Sequence, residues 1–429
     1  MAKTEKKKIG LTTRIFISLL LGAILGVFLH YCVLPNDAVQ NILVDGVFYV
    51  VGQGFLRLMQ MLVVPLVLCS LICGASAIGD TKTLGKVGVR TVVFYIITTA
   101  LAVAVALIVA RIINPGVGMD LNTLEVAETQ IATTQTSMVD TLLDIIPKNP
   151  IESLATGNML QIIVFAIIVG IILAKLGDKT QIVHNLFQQG NDIMMEMTMM
   201  VMSLAPIGVF CLIARTFSGM GFDAFQPLIK YMFAVMLALV IQCLGVYQIL
   251  LKLFTGLNPI RFIKKFLPVM GFAFSTATSN ATIPLSIDTL ERKMGVSRRI
   301  SSFTIPLGAT INMDGTSIMQ GVAVVFIAQA YGIALTPMDY LTVIATATLA
   351  SIGTAGVPSV GLVTLSMVLT SVGLPIEGIG FIMGIDRILD MSRTAVNITG
   401  DAVCTTIVAN QNQALDKEVF NKKEAEMEA

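Results

Sequence analysis

This chain is poor in charge. Asp, Glu, Lys and Arg make up 13% of its 429 residues, against 55% hydrophobic residues, and the mean hydropathy is +0.84. An ordinary water-soluble domain carries about twice that share of charge. The solvent for most of this chain is therefore a bilayer. The net charge is only +1 and the bases are scattered between apolar runs, which excludes a nucleic-acid partner, because such partners need a clustered basic surface. Histidine is almost missing: His30 and His184 stand far apart, and no zinc-enzyme motif can be built from them. The six cysteines (Cys32, Cys69, Cys73, Cys211, Cys243, Cys404) show no CxxC or Cys/His ligand spacing and read as small buried apolar side chains. No GxSxG, HExxH or paired catalytic carboxylate motif supports a membrane hydrolase, so the chain is not expected to be an enzyme.

What the chain does have is apolar length. A spanning helix needs about 20 mostly apolar residues, and such runs recur at 15–34, 63–78, 92–113, 162–173 and 231–253. The first follows a basic stretch (Lys3, Lys6, Lys7, Lys8) and lacks a small-residue cleavage site, so it reads as a retained first helix. The 24 methionines read as core filler.

Basic residues assign the sides, since short cytoplasmic loops hold the Lys/Arg excess. With the N-terminal lysines inside, the first helix exits into 35–45, which has no Lys or Arg, and the second returns to Lys82, Lys86 and Arg90. The third leaves at Asn114 into a stretch with Asp120, Glu125, Glu128, Asp140 and Asp144, and the next crossing returns to Lys175 and Lys179. Arg215 and Lys230 flank what should be an outer loop, a less clean signal, and the chain is then delivered inside at Lys252, Arg261, Lys264 and Lys265.

The segment 266–290 is hydrophobic yet has basic clusters at both ends: Arg261, Lys264 and Lys265 before it, Arg292, Lys293, Arg298 and Arg299 after it. A single crossing would put one cluster outside. The charge pattern predicts a hairpin that enters from the cytoplasm and returns to it, with the hydroxyl-rich tip Ser275-Thr-Ala-Thr-Ser-Asn-Ala-Thr-Ile-Pro284 ending in a helix breaker. A second Ser/Thr/Gly/Pro-rich stretch, Ser351-Ile-Gly-Thr-Ala-Gly-Val-Pro-Ser-Val-Gly361, lies in a base-free region and predicts an outer hairpin. Pro284 precedes Asp314 by 30 positions and Pro358 precedes Asp390 by 32, so each hairpin is followed at similar distance by a helix bearing polar groups. This is the pattern of an inverted repeat, which in transporters places substrate and ion sites near the midplane.

Those two helices hold the chemistry. In the first, Gly308-Ala-Thr-Ile-Asn-Met-Asp-Gly-Thr316 puts Asn312, Asp314 and Thr316 inside an apolar run, where Gly315 and the Asn/Asp pair disfavour helix and free carbonyl oxygens for a small cation. A carboxylate at membrane depth is a functional-site candidate by default. In the second, Asp386, Asp390, Arg393, Asn397 and Asp401 fall at offsets 0, 4, 7, 11 and 15, one narrow helical face. Arg393 suits a bidentate clamp on a carboxylate ligand. Asp390, one turn earlier, suits an ammonium group.

Over nearly its full length the sequence resembles the dicarboxylate/amino acid:cation symporters, the glutamate transporter family. Asn312-Met-Asp-Gly-Thr316, Asp390-Met-Ser-Arg-Thr-Ala-Val-Asn397, Asp401 and the two hairpin tips carry the likeness. It implies an all-α polytopic membrane protein of about eight transmembrane helices plus two re-entrant helical hairpins in inverted repeats. It also implies a homotrimer in a cell inner membrane, with both termini cytoplasmic. Scaffold helices would lie in 1–80 and, with a sixth helix of the moving part, in 114–256. The moving part would take 81–113 and 257–411, leaving 412–429 as a cytoplasmic tail. The function implied is symport of L-aspartate or L-glutamate with sodium ions by an elevator motion.

Residue by residue, the resemblance places the substrate side chain on Arg393, its amino group on Asp390, and its main-chain carboxylate on Asn397, Thr316 and the tip near Ser279, with Thr394 and Val357 completing the pocket. Sodium would fall on Asp401, Asn397, Asn312 and the Gly308 carbonyl; on Tyr95, Thr98, Thr99, Asn312 and Asp314; and on the carbonyls of Thr310, Met313, Ser351, Ile352 and Thr354. The first tip departs from the family's serine-rich form, reading Thr278-Ser279-Asn280. Symport of C4-dicarboxylates is the rival within transport, and Asp390 argues against it, since a second anion there would meet like charge. Proton coupling in place of sodium and an anion channel are the other readings.

Overall fold

The computed structural model describes residues 11–33, 36–79, 86–119, 146–221, 225–352, 360–383 and 385–422. The basic N-terminal residues, the acidic stretch at 120–145 and the second hairpin tip at 353–359 lie outside these. The described residues form helices α1 (Leu11–Phe28), α2 (Tyr49–Gly79), α3 (Lys86–Ile113), α4 (Met159–Leu176), α5 (Gln181–Ser203), α6 (Ala205–Met220), α7 (Phe225–Val240), α8 (Tyr247–Thr255), α9 (Pro259–Thr276), α10 (Ser279–Arg292), α11 (Arg298–Ile311), α12 (Asp314–Ala330), α13 (Pro337–Ser351), α14 (Val360–Ser371), α15 (Asp386–Gln411) and α16 (Lys417–Asn421). Six helical segments are long and apolar enough to cross a membrane, and no strand occurs among the described residues beyond one isolated bridge between Val296 and Leu415. The protein is all-α and polytopic.

Two packing groups emerge. α1 lies along α6, and α2 packs on α4, α5 and α6. In the second group α15 is central, touching α7 to α12, while α3 packs on α7, α12 and α13. The links between groups are thinner: α14 against α2 and α4, and residues 379–383 against α6. Burial follows position. The apolar stretch within 298–330 is wholly enclosed by protein, whereas that within 161–203 is 28% buried and turns Ile168, Ile171 and Ile172 outward, as suits a lipid-facing surface.

The first hairpin is two helices reversed on a very short tip. α9 begins on Asn258, whose side chain accepts from the amides of Ile260 and Arg261, and ends at Thr276. Ala277 turns left-handed at φ 51°, Thr278 is extended, and α10 starts at Ser279. The sequence reading ran the tip on to Pro284. Pro284 instead sits inside α10, where its missing N–H leaves out only the bond to the carbonyl of Asn280 in the first turn.

The hairpin's open end is clasped by the C-terminal segment. Lys265 on α9 is buried and donates to the carbonyls of Lys293 (2.7 Å), Phe420 (2.8 Å) and Val419 (3.3 Å). Arg261 donates to the Asn421 side chain at 2.8 Å, and Lys417 to the Thr255 carbonyl at 3.0 Å. Arg215 lies 3.4 Å from Asp45 and over the Tyr49 ring.

Candidate functional site

The site is built where a helix breaks against an unbroken one. α11 ends at Ile311, Asn312 and Met313 leave helical geometry, and α12 restarts at Asp314. A new helix start exposes unpaired N–H groups, and α15 supplies the acceptor: Asn397 Oδ1 receives the Gly315 N–H at 2.7 Å, doing from another helix what a capping side chain does. Gly315 permits the approach, since any Cβ there would collide with the Arg393 backbone. Asn397 also donates to the Met313 sulfur at 3.3 Å.

Two fully buried carboxylates flank the break. Asp401 Oδ1 accepts from Asn312 Nδ2 at 2.8 Å, and the same amide donates to the Asn397 carbonyl at 3.2 Å. A side chain at Gly308 would run into the Asp401 carboxylate and the Tyr95 hydroxyl, so glycine is required for these groups to meet. Asp314 accepts from Thr99 Oγ1 (2.5 Å), Tyr247 Oη (2.7 Å) and Gln242 Nε2 (3.3 Å). Thr98 donates to the Tyr95 carbonyl, which also lies 2.8 Å from Thr99 Oγ1, and Tyr95 Oη donates to the Thr304 carbonyl. Among the described residues neither Asp314 nor Asp401 has an ion-pair partner. A buried carboxylate without a cation is costly. The hydroxyl and amide donors offset part of that cost, and the oxygen-rich surroundings suit a hard monovalent cation. Among the same residues no trio of His, Cys, Asp or Glu forms a metal cluster.

The basic groups gather one to two turns nearer the start of α15. Arg393, 1% exposed, donates to Asp386 Oδ1 at 2.8 Å and to Asp390 Oδ1 at 2.9 Å, while Arg387 reaches Asp390 Oδ2 at 3.3 Å. The polar stripe is therefore not a solvated face: Asp386, Asp390, Arg393, Asn397 and Asp401 are all buried. Gly361 on α14 faces this group, its notional Cβ 2.9 Å from Thr316 Cγ2 and 3.5 Å from Arg393 Nη2. α14 thus lies over Thr316 and Arg393. Arg393 Nε is buried without a partner.

Of the residues expected from the sequence, Tyr95, Thr98, Thr99, Gly308, Asn312, Asp314, Asn397 and Asp401 come together around the break, and Asp390, Arg393 and Thr316 adjoin them. Thr394 is buried and returns its hydroxyl to the Asp390 carbonyl. Ser279 is buried at the start of α10, which packs on α15. Thr310 bonds the Pro306 carbonyl, Met313 lies in the break, and Ser351 and Ile352 end α13, which is tied to α12 by Ser317 Oγ on the Ala347 carbonyl at 3.4 Å. Thr354 and Val357 lie outside the described residues. Sequence reasoning missed Gln242 and Tyr247. Five positions on an α-helix face about 140° apart, but here the chain makes a π turn over Ile241–Val246, which brings residues five apart to one side. The available signal was an amide side chain inside an apolar run, which holds Gln242 and also Gln248.

A broken helix with buried carboxylates, a re-entrant hairpin and a sealed ionic cluster on an unbroken helix define a secondary transporter, not an enzyme. Residues 11–411 match the sodium:dicarboxylate symporter family, and the chain belongs to it. It is 38% identical to a proton/sodium-glutamate symport protein of Bacillus caldotenax, over 98% of this chain and 99% of that one. It is 35% identical to a proton/glutamate-aspartate symporter of Escherichia coli K12, over 96% and 94%. It is 32% identical to excitatory amino acid transporter 3 of Mus musculus, over 96% and 86%.

Proposed function

We propose that this protein takes up L-aspartate or L-glutamate together with sodium ions. The observation that carries the reading is the pair Asp314 and Asp401: both buried, neither ion-paired among the described residues, both ringed by hydroxyls, amides and carbonyls. Fixed negative charge of that kind calls for a mobile cation that enters and leaves with each cycle. Arg393 then meets the side-chain carboxylate of the substrate, Asp390 its ammonium group, and Asn397, Thr316, Thr394, Ser279 and Val357 the remainder. The third ion set draws on the carbonyls of Thr310, Met313, Ser351, Ile352 and Thr354.

The two packing groups, thinly joined through α14 and residues 379–383, support an elevator in which α3, α7 to α15 and the hairpins move against a scaffold of α1, α2, α4, α5 and α6. In this reading the scaffold of three copies forms a trimer in the inner membrane, with both termini cytoplasmic. The names of the relatives support an acidic amino acid as substrate, and two of them carry the word proton, which keeps proton coupling as the second reading. Uptake of radiolabelled L-aspartate into proteoliposomes decides between them. Accumulation driven by an inward sodium gradient at equal pH is the expected result. Accumulation that follows only a proton gradient overturns the sodium reading.

A further inference from the structure

Gln242 belongs to neither the substrate group nor the ion groups proposed above, yet it touches the ion group on the Asp314 side. It is fully buried in the π turn between α7 and α8, and its Nε2 donates to two oxygens, Asp314 Oδ2 at 3.3 Å and the Thr98 carbonyl at 3.4 Å. Both contacts are long for N–H···O bonds, whose usual separation is about 2.9–3.0 Å. The other half of the amide, Oε1, is buried with no partner. Burying an unpaired amide oxygen is unfavourable. The orientation nonetheless follows from charge: turned over, Oε1 would face a carboxylate and a carbonyl, three acceptors together with no donor.

That balance reverses with a cation among the three oxygens. A sodium ion at Asp314 Oδ2 and the Thr98 carbonyl replaces the two weak N–H contacts. The amide, rotated about its terminal bond, can then offer Oε1 as a further ligand. The opposite side of the break repeats the arrangement. Asn312 Nδ2 bridges the Asp401 carboxylate and the Asn397 carbonyl, and Asn312 Oδ1 is buried and unpartnered. A proton on Asp314 would need no such rotation, because it satisfies the carboxylate without further oxygen ligands.

On these grounds, and resting on the sodium-coupled reading above, we propose that Gln242 sets the affinity for sodium, its amide turning to place Oε1 beside Asp314 and the Thr98 carbonyl as a ligand of the ion.

The test compares Gln242→Met, which keeps length and removes the amide, with Gln242→Glu, which restores a side-chain oxygen. The readouts are the sodium-dependent rise in melting temperature of the full-length detergent-purified protein without substrate, and the sodium concentration giving half-maximal aspartate uptake in proteoliposomes. The Met variant is expected to need at least about tenfold more sodium in both, with uptake restored at high sodium, and the Glu variant to stay within about threefold of wild type. A Met variant within about twofold of wild type, or a Glu variant as impaired as Met, overturns the proposal. If Met cannot be recovered folded, the Glu variant alone decides on the same limits. A wild-type protein with no response to sodium overturns both this proposal and the symport reading. A responsive wild type beside an unaffected Met variant overturns this one alone.

Discussion

Arg393 and Asp386, seven positions apart on α15, form an ion pair of 2.8 Å with side-chain exposures of 1% and 5%. Two helical turns put them on one face, and with Asp390 at 2.9 Å they fix the plane of the guanidinium. Pre-set orientation of this kind favours bidentate recognition of a carboxylate.

Replacing Arg393 by Thr removes that plane and leaves Asp386 and Asp390 buried with Arg387 as their remaining basic neighbour. A substrate carboxylate buried there without its basic partner would lose about 3–5 kcal/mol, or more than about a hundredfold in affinity. On the proposed assignment, aspartate uptake should nearly vanish, while serine or alanine binding, still with sodium, is kept or gained because Asp390 and the proposed ion ligands remain. Competition assays in liposomes read the outcome, and near wild-type aspartate affinity in the variant would show that the substrate carboxylate is held elsewhere.

Asp401→Asn keeps the shape of the side chain and removes its charge. Its fold should persist, since Asn312 retains an oxygen to donate to, while the sodium needed for half-maximal uptake rises at least about tenfold. An unchanged sodium response in a well-folded variant counts against Asp401 as an ion ligand.

Tyr247→Phe tests the residue that sequence periodicity hides. Its hydroxyl is 2.7 Å from Asp314 Oδ2, and a hydrogen bond to a charged group contributes about 1.5–3 kcal/mol. The variant should melt at lower temperature in sodium-free buffer than wild type, and sodium should recover part of the difference by supplying Asp314 with a positive partner. Melting curves with and without sodium check both halves. Equal melting temperatures would mean that the hydroxyl does not stabilise the carboxylate.

Lys265→Met probes the clasp at the hairpin's open end. The ammonium serves three carbonyls and lies over the Phe420 ring, so losing it leaves buried acceptors unpaired at about 1–3 kcal/mol each. Limited proteolysis should cut the segment at 412–422 faster in the variant, ahead of any change in aspartate affinity. Unchanged cleavage would place the strength of the clasp in the Val296–Leu415 bridge and the burial of Phe420 instead.

Much of this protein is written in its sequence because the bilayer leaves so little freedom. A carboxylate inside an apolar run has few physical explanations, so Asp314 and Asp401 stand out unaided, and the stripe from Asp386 to Asp401 keeps its 3.6-residue period because α15 is an unbroken helix. Basic clusters on both sides of 266–290 mark a reversal for the same reason, and the structure turns the chain there on Ala277 and Thr278. What tertiary structure alone decided are the partners. Gln242 and Tyr247 converge on Asp314 only because a π turn replaces the α period that sequence patterns assume. Lys265 reads as one more cytoplasmic base until the C-terminal segment, more than 150 positions later, folds back to bury it. Local sequence states which side chains are too polar for their surroundings; which distant group satisfies each depends on packing between helices, and no periodicity along the chain encodes that.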